Sequence, residues 1–254
     1  MPQQTSTGPT VIIVGATGAF GQVIAGSLRA KGLDVLAVAR DALALASLAE
    51  KFPGLRTCAA DVSSDSSINE IRGALTGPVK AVIHGPGVGV AGGITQADIG
   101  VLIEAVNIKV GGLLRVVRAS EDRMLEGSRI IAIAGHYGLE PTAYAASAGV
   151  ANAALFNVVR QLSLGYGERG ITAHTIAPGP AETERLRNVA AARAERDGIT
   201  TDEVLERMRS ESSIAAFTTP EQVAWGVSML LQDEAIAMTG STLMLDAGRR
   251  HGLP

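Results

Sequence analysis

Val11-Ile12-Ile13-Val14-Gly15-Ala16-Thr17-Gly18-Ala19-Phe20-Gly21 is the stretch that decides the fold. Four β-branched residues in a row predict a short buried strand that stops at Gly15. Glycines at intervals of three then open a segment with helical periodicity over 19–30. A glycine pattern alone is weak evidence. Placed directly after a strand and at the head of a helix, it reads as a turn that cradles the phosphates of a dinucleotide. Gly15 permits the tight turn, Gly18 lets the backbone approach a pyrophosphate, and Gly21 lets the helix pack close to the strand. The unpaired N–H groups of the helix N-terminus then face the phosphates. Thr17 and Phe20 lie inside the turn and join the predicted cofactor-binding set.

Outward from this turn, strand and helix signals alternate. Further strands are predicted over 34–39, 55–60, 80–84, 129–134, 171–176 and 241–245. Helices are predicted between them, including long ones over 96–121 and 142–165, and one starting at Pro220, a favourable first helical position. Regular interleaving predicts an α/β, doubly wound sheet of about seven parallel strands with right-handed crossovers, a single-domain Rossmann fold over residues 1–254. Residues 1–9 read as a flexible tail. Residues 181–213 form the one shift in composition and read as a helical, lid-like insertion over the sheet's carboxyl edge.

Composition narrows the function classes. Hydrophobic residues are 46% and aromatics 3%, a bias towards helices on a buried parallel sheet rather than an antiparallel sandwich. The net charge is −3 and no basic block stands out, so nucleic acid is not an expected partner. The lone Cys58 cannot form an internal disulfide and lacks companions for a metal cluster, so no metal site is expected. The first ten residues hold no apolar signal core, and no apolar run is long enough for a bilayer. No membrane association and a cytoplasmic location are therefore expected.

The second strand ends Val38-Ala39-Arg40-Asp41, where NAD-binding sheets of this type place an acid on the ribose 2′-hydroxyl. Arg40 takes that place, and a guanidinium suits the 2′-phosphate of NADP. Asp41 reads as a helix cap, but an acid there also keeps NAD in play.

Taken with these features, the chain resembles the short-chain dehydrogenase/reductase family over nearly its whole length. Gly15, Gly18 and Gly21 match the family's phosphate turn, with spacing nearer its atypical and extended members. Asp61-Val62 matches the pair after the third strand, where the aspartate contacts adenine. Gly85 belongs to the loop after the fourth strand that is usually N-N-A-G. Pro178-Gly179, with Thr183 four residues on, matches the stretch that holds the nicotinamide carboxamide. Asn107 matches the family's structural and proton-relay asparagine. The resemblance also implies a homodimer or homotetramer built on the two long helices, and a small-molecule substrate.

The family's chemistry uses a tyrosine acid/base, a lysine four residues later and a serine on the preceding strand. A phenol near pKa 10 is a poor base at neutral pH, and a nearby ammonium favours its phenolate. Tyr144 stands in the tyrosine position. Ala148 occupies the lysine position, and Ala134-Gly135 replace the serines. The chain's four lysines, Lys31, Lys51, Lys80 and Lys109, offer no evident substitute, since Lys109 sits two helical residues from Asn107 and is expected to point elsewhere. His136 and Tyr137, just past the fifth strand, are the candidate replacements for the missing groups. Three functions follow: an NADP-dependent oxidoreductase with a modified site acting on a small carbonyl or activated double bond, a dinucleotide-binding sensor or subunit without turnover, or a lyase or isomerase that reuses the pocket.

Overall fold

A computed structural model describes residues 8–252; residues 1–7, most of the expected tail, lie outside the described residues. Its strands are β1 (Thr10–Val14), β2 (Asp34–Ala39), β3 (Arg56–Ala59), β4 (Val79–His84), β5 (Met124–Ile133), β6 (Thr172–Pro178) and β7 (Thr242–Leu245). They form one sheet in the order β3-β2-β1-β4-β5-β6-β7, and every neighbouring pair is parallel. The helices are α1 (Ala19–Ala30), α2 (Ala42–Lys51), α3 (Ser66–Ala74), α4 (Ile99–Val106), α5 (Gly112–Ser120), α6 (Ala146–Tyr166), α7 (Glu184–Asp197), α8 (Thr201–Ser210) and α9 (Pro220–Leu230).

The sheet is buried on both faces, which is why β1 reads as an unbroken apolar run. Ile12 packs with Ile71, Leu113 and Leu155 on one face, while its neighbour Ile13 packs with Ile24, Leu28 and Val227 on the other. Each such side chain, fully removed from water, contributes about 1.5–3 kcal/mol. The chain order reverses direction between β1 and β4, and this switch point is where an open parallel sheet leaves a crevice at its carboxyl edge.

Two helices differ from expectation. The helix predicted over 96–121 is interrupted: a wide π turn at Asn107–Gly111 separates α4 from α5. Within it Lys109 turns inward, buried, and its Nζ donates to the Ile133 carbonyl at 2.8 Å. The helix predicted from 142 starts only at Ala146. Tertiary hydrogen bonds claim the preceding backbone instead, Ile94 N–H to Ala143 O and Ala146 N–H to Gly92 O. Tyr144 therefore sits in a turn ahead of α6. The segment 181–213 carries α7 and α8, which pack on each other through Leu186, Ala190, Ala194, Val204 and Met208. Among the described residues no helix is long and apolar enough to cross a membrane.

Candidate active site

The phosphate turn takes the form its glycines require. Gly15 has φ +76°, and a Cβ there would lie 2.9 Å from Pro86 Cα, so the loops after β1 and β4 meet at the switch point. A Cβ on Gly21 would lie 2.2 Å from Gly15 O and 2.7 Å from Ala16 Cα. The turn is pinned by Gly15 and Ala16 N–H donating to Val38 O, and by Gly18 N–H donating to Gly15 O. Gly18 caps α1 without a side-chain hydrogen bond, so the first-turn N–H groups keep no side-chain partner of their own. That is the chemistry a pyrophosphate needs. Thr17 lends its carbonyl to Gln22 Nε2 at 2.8 Å, and Phe20 packs against the core beneath.

At the end of β2, Asp41 accepts from Leu43 and Ala44 N–H at 2.9 and 3.1 Å, as a cap of α2. Arg40 is exposed beside it. Asp61 accepts from Ser63 N–H at 3.0 Å, and Val62 is buried against Gly112 and the core. Gly85 donates to Val14 O, with Ile133 Cδ1 3.0 Å from where its Cβ would be. Pro178 ends β6 and Gly179 donates to Leu245 O. Thr183 is the cap of α7, its hydroxyl accepting from Leu186 N–H at 3.4 Å. Gly15, Gly85 and Pro178-Gly179 stand at the carboxyl ends of β1, β4 and β6, with the loops after β1 and β4 in direct contact, whereas Arg40 and Asp41 follow β2 and Asp61 and Val62 follow β3.

The candidate chemical groups sit at the end of β5. The Tyr137 and Tyr144 hydroxyls are 3.1 Å apart and their rings meet edge-to-face at 5.8 Å. The His136 ring lies 4.1 Å from that of Tyr137. His136 is buried, and burial followed by the Arg249 charge pushes its pKa down to about 4, so it is a neutral imidazole at pH 7. Burial and its bond to Tyr144 push Tyr137 up. Burial also acts to raise Tyr144, but the Tyr137 hydroxyl and the Arg193 and Arg249 charges outweigh it, leaving Tyr144 below the usual phenol value.

Asn107 is not brought to this cluster. Its Nδ2 donates to Ser63 O and Glu104 Oε2, and its Oδ1 accepts from Arg115. It ties α4 to the loop after β3. Gly135 is extended (φ −178°), a conformation open to any residue, and a Cβ there would stand 3.0 Å from Asn152 Nδ2. His84 is fully buried, its Nε2 3.1 Å from Ile108 O, and its pKa falls to about 3 through burial and then the Lys109 charge. His174 is likewise internal, 2.8 Å from Thr172 Oγ1.

Two arginines of the 181–213 segment, Arg185 and Arg193, are placed by contacts that the sequence alone did not give. The Arg193 guanidinium from α7 lies over the Tyr144 ring at 3.9 Å. Arg185 Nη1, at the start of α7, lies 3.3 Å from where a Cβ on Gly87 would be. Lys109 is pulled down to about 8 by burial and by the charge of Arg185. The signal for Arg193 was present: it follows Leu186 by seven residues, two turns along the same buried stripe.

Comparison with known proteins follows the same lines. A family model described as enoyl-(acyl carrier protein) reductase matches residues 15–250. L-xylulose reductase of Caenorhabditis elegans is 29% identical over 255 residues, covering 95% of this chain and 96% of that protein. Actinorhodin polyketide ketoreductase with NADPH superposes with a TM-score of 0.88 at 23% identity, covering 98% and 99% of the two chains. An NADPH-bound short-chain oxidoreductase of Pseudomonas aeruginosa PAO1, described as containing an atypical catalytic center, superposes with a TM-score of 0.84 at 18% identity, covering 99% and 100%.

Proposed function

This chain belongs to the short-chain dehydrogenase/reductase family of oxidoreductases, and from that premise we propose that it is an NADP(H)-dependent reductase of a small carbonyl compound or activated double bond, with Tyr144 as the proton donor. The observation that carries this reading is the Tyr144 hydroxyl at the carboxyl edge of the sheet, hydrogen-bonded to Tyr137 and covered by Arg193. It is a phenol tuned downward in the place where this fold does chemistry.

NADP is favoured over NAD because Asp41 spends its carboxylate on the α2 cap, leaving Arg40 to meet a 2′-phosphate. Neighbours in the fold are described with NADPH, one of them alongside an atypical catalytic center. Gly15, Gly18 and Gly21 would hold the pyrophosphate, Asp61 and Val62 the adenine end. Gly85, Pro178-Gly179 and Thr183 would frame the nicotinamide. When bound, the reduced nicotinamide supplies hydride to the carbonyl carbon. Tyr144 gives its hydroxyl proton to the carbonyl oxygen, and its own oxygen is steadied by the Tyr137 hydroxyl. His136, neutral, orients Tyr137 by ring contact. In this reading Gly135 and Ala148 are departures from the family's serine and lysine, and Asn107 serves as structure. Helices α7 and α8 act as the lid.

The active form is proposed to be a homodimer or homotetramer, with exposed Ile99 and Ile103 on α4 and Val150 on α6 as contact residues. Fluorescence titration with NADPH and NADH, followed by NADPH consumption against a panel of aldehydes, ketones and enones, tests the function. Tight NADPH binding with turnover on some member supports it. Binding without turnover on any member points to the sensor or subunit reading.

A further inference from the structure

We propose that Arg193 is the positioning residue that activates Tyr144, delivering from the lid helix α7 the positive charge that position 148 does not supply. This rests on the reading of Tyr144 as proton donor. A guanidinium within about 6 Å of an aromatic centroid is held by the ring's negative face, and here the separation is 3.9 Å. Arginine keeps its charge throughout the working pH range, so the contact is permanent while α7 is in place.

The surroundings of Tyr144 leave this job to few groups. The turn at 136–138 contributes Tyr137, whose hydroxyl shares a hydrogen bond with that of Tyr144, and His136, neutral at pH 7. The C-terminal segment contributes Arg249, whose charge is shared with Glu211 in an ion pair and whose Nη1 donates to Met208 O. Asp246 and Glu140 face His136. Lys109, buried under the sheet edge, is committed to the Ile133 carbonyl. Tyr144 stands in a turn before α6, so residue 148 is not one helical turn along from it. Arg193 is the cation lying on the ring itself.

The location has a consequence. Arg193 rides on α7, whose own small core with α8 is separate from the sheet's cores, and Arg185 at the other end of α7 rests against the loop after β4. One helix thus reaches both the loop after β4 and the Tyr144 ring, and the charge at Tyr144 depends on where α7 sits. As Tyr144 gives up its proton, the phenolate forms under Arg193, and a solvent proton restores it through Tyr137.

The test uses the purified full chain without cofactor and reads tyrosinate by ultraviolet absorbance during an alkaline titration. The chain has three tyrosines. Tyr166 is pushed up to about 12 by burial and by donating to Glu121, and Tyr137 is also raised, so the first phase belongs to Tyr144. That phase disappears in Tyr144→Phe, moves to higher pH in Arg193→Gln and returns towards its original position in Arg193→Lys. The kcat/KM for reduction falls at least about tenfold in Arg193→Gln and is partly rescued by Arg193→Lys. A first phase unmoved by Arg193→Gln, in a variant with wild-type circular dichroism, overturns the role of Arg193 whatever the turnover. A moved phase with no turnover in wild type upholds the Arg193–Tyr144 pair and overturns the reductase reading instead.

Discussion

Replacing Gly21 by alanine puts the phosphate turn to a sharp test. The added methyl would lie 2.2 Å from Gly15 O, 2.7 Å from Ala16 Cα and 2.8 Å from Ala16 C, all backbone. Ordinary contact begins near 3.4 Å, so the turn and α1 must separate by more than 1 Å. Neither side gives easily. The turn is held by three backbone hydrogen bonds to Val38 and Gly15, and α1 is seated by the fully buried Ile24 and Leu28. Forced overpacking of this kind costs about 1–3 kcal/mol, offset by about 0.5–1 kcal/mol because alanine suits a helix better than glycine. The net loss is about 1–2 kcal/mol, a fall in Tm of roughly 2–8 °C for a chain of this size. Displacement of the N–H cradle by 1 Å weakens NADPH binding much more, by about 10²-fold if positioning governs it as it does in catalysis. Thermal melting and NADPH fluorescence titration measure the two effects. Gly73→Ala in α3 is the control: a Cβ there meets nothing within 4 Å, and the variant keeps wild-type melting or improves slightly. A Gly21→Ala protein with unchanged Tm and unchanged NADPH affinity refutes the close helix–strand approach.

Arg40→Asp removes the cation from the end of β2 and abolishes or reverses the preference for NADPH, a change of about 10–150-fold if one charge-assisted bond is lost; wild type binding NADH more tightly in the same titration assigns Asp41 the deciding role. Asp41→Ala gives up two cap bonds, lowers stability by about 1 kcal/mol in a denaturant melt and leaves the NADPH preference in place. His84 has a folded pKa of about 3 against 6.5 unfolded, so between those values the unfolded chain binds the extra proton. Stability therefore falls as pH drops through that window, by up to about 1.4 kcal/mol per pH unit for this residue, and His84→Asn flattens the curve in urea melts from pH 7 to 4. An unchanged slope would mean that His84 is not held neutral.

Most of the fold was legible because its determinants are local. Helix α1 and strand β2 fall on their predicted bounds, since apolar runs and glycine stops act over a few residues. The phosphate turn and the Asp41 cap were legible for the same reason. What local patterning could not convey were choices made by tertiary contact. Periodicity across 96–121 is consistent with one helix, yet the buried Lys109 and its bond to β5 sit at a π turn. Residues 142–145 have helical composition, yet their backbone is claimed by the 92–94 loop. The lid-like reading of 181–213 singled out no arginine for Tyr144, because Arg193 lies 49 positions beyond it in the chain. Asn107 matched a motif, but its three hydrogen bonds go to residues that the motif does not mention.

The central claim is that a tyrosine at the carboxyl edge of this sheet donates the proton in a nicotinamide-linked reduction. The most direct measurement compares NADPH consumption by wild type and Tyr144→Phe, using the best substrate found in the carbonyl and enone panel. Losing the hydroxyl lowers kcat/KM by about 10²–10⁴ while NADPH affinity stays at its wild-type value. A phenylalanine variant that consumes NADPH at the wild-type rate contradicts the account.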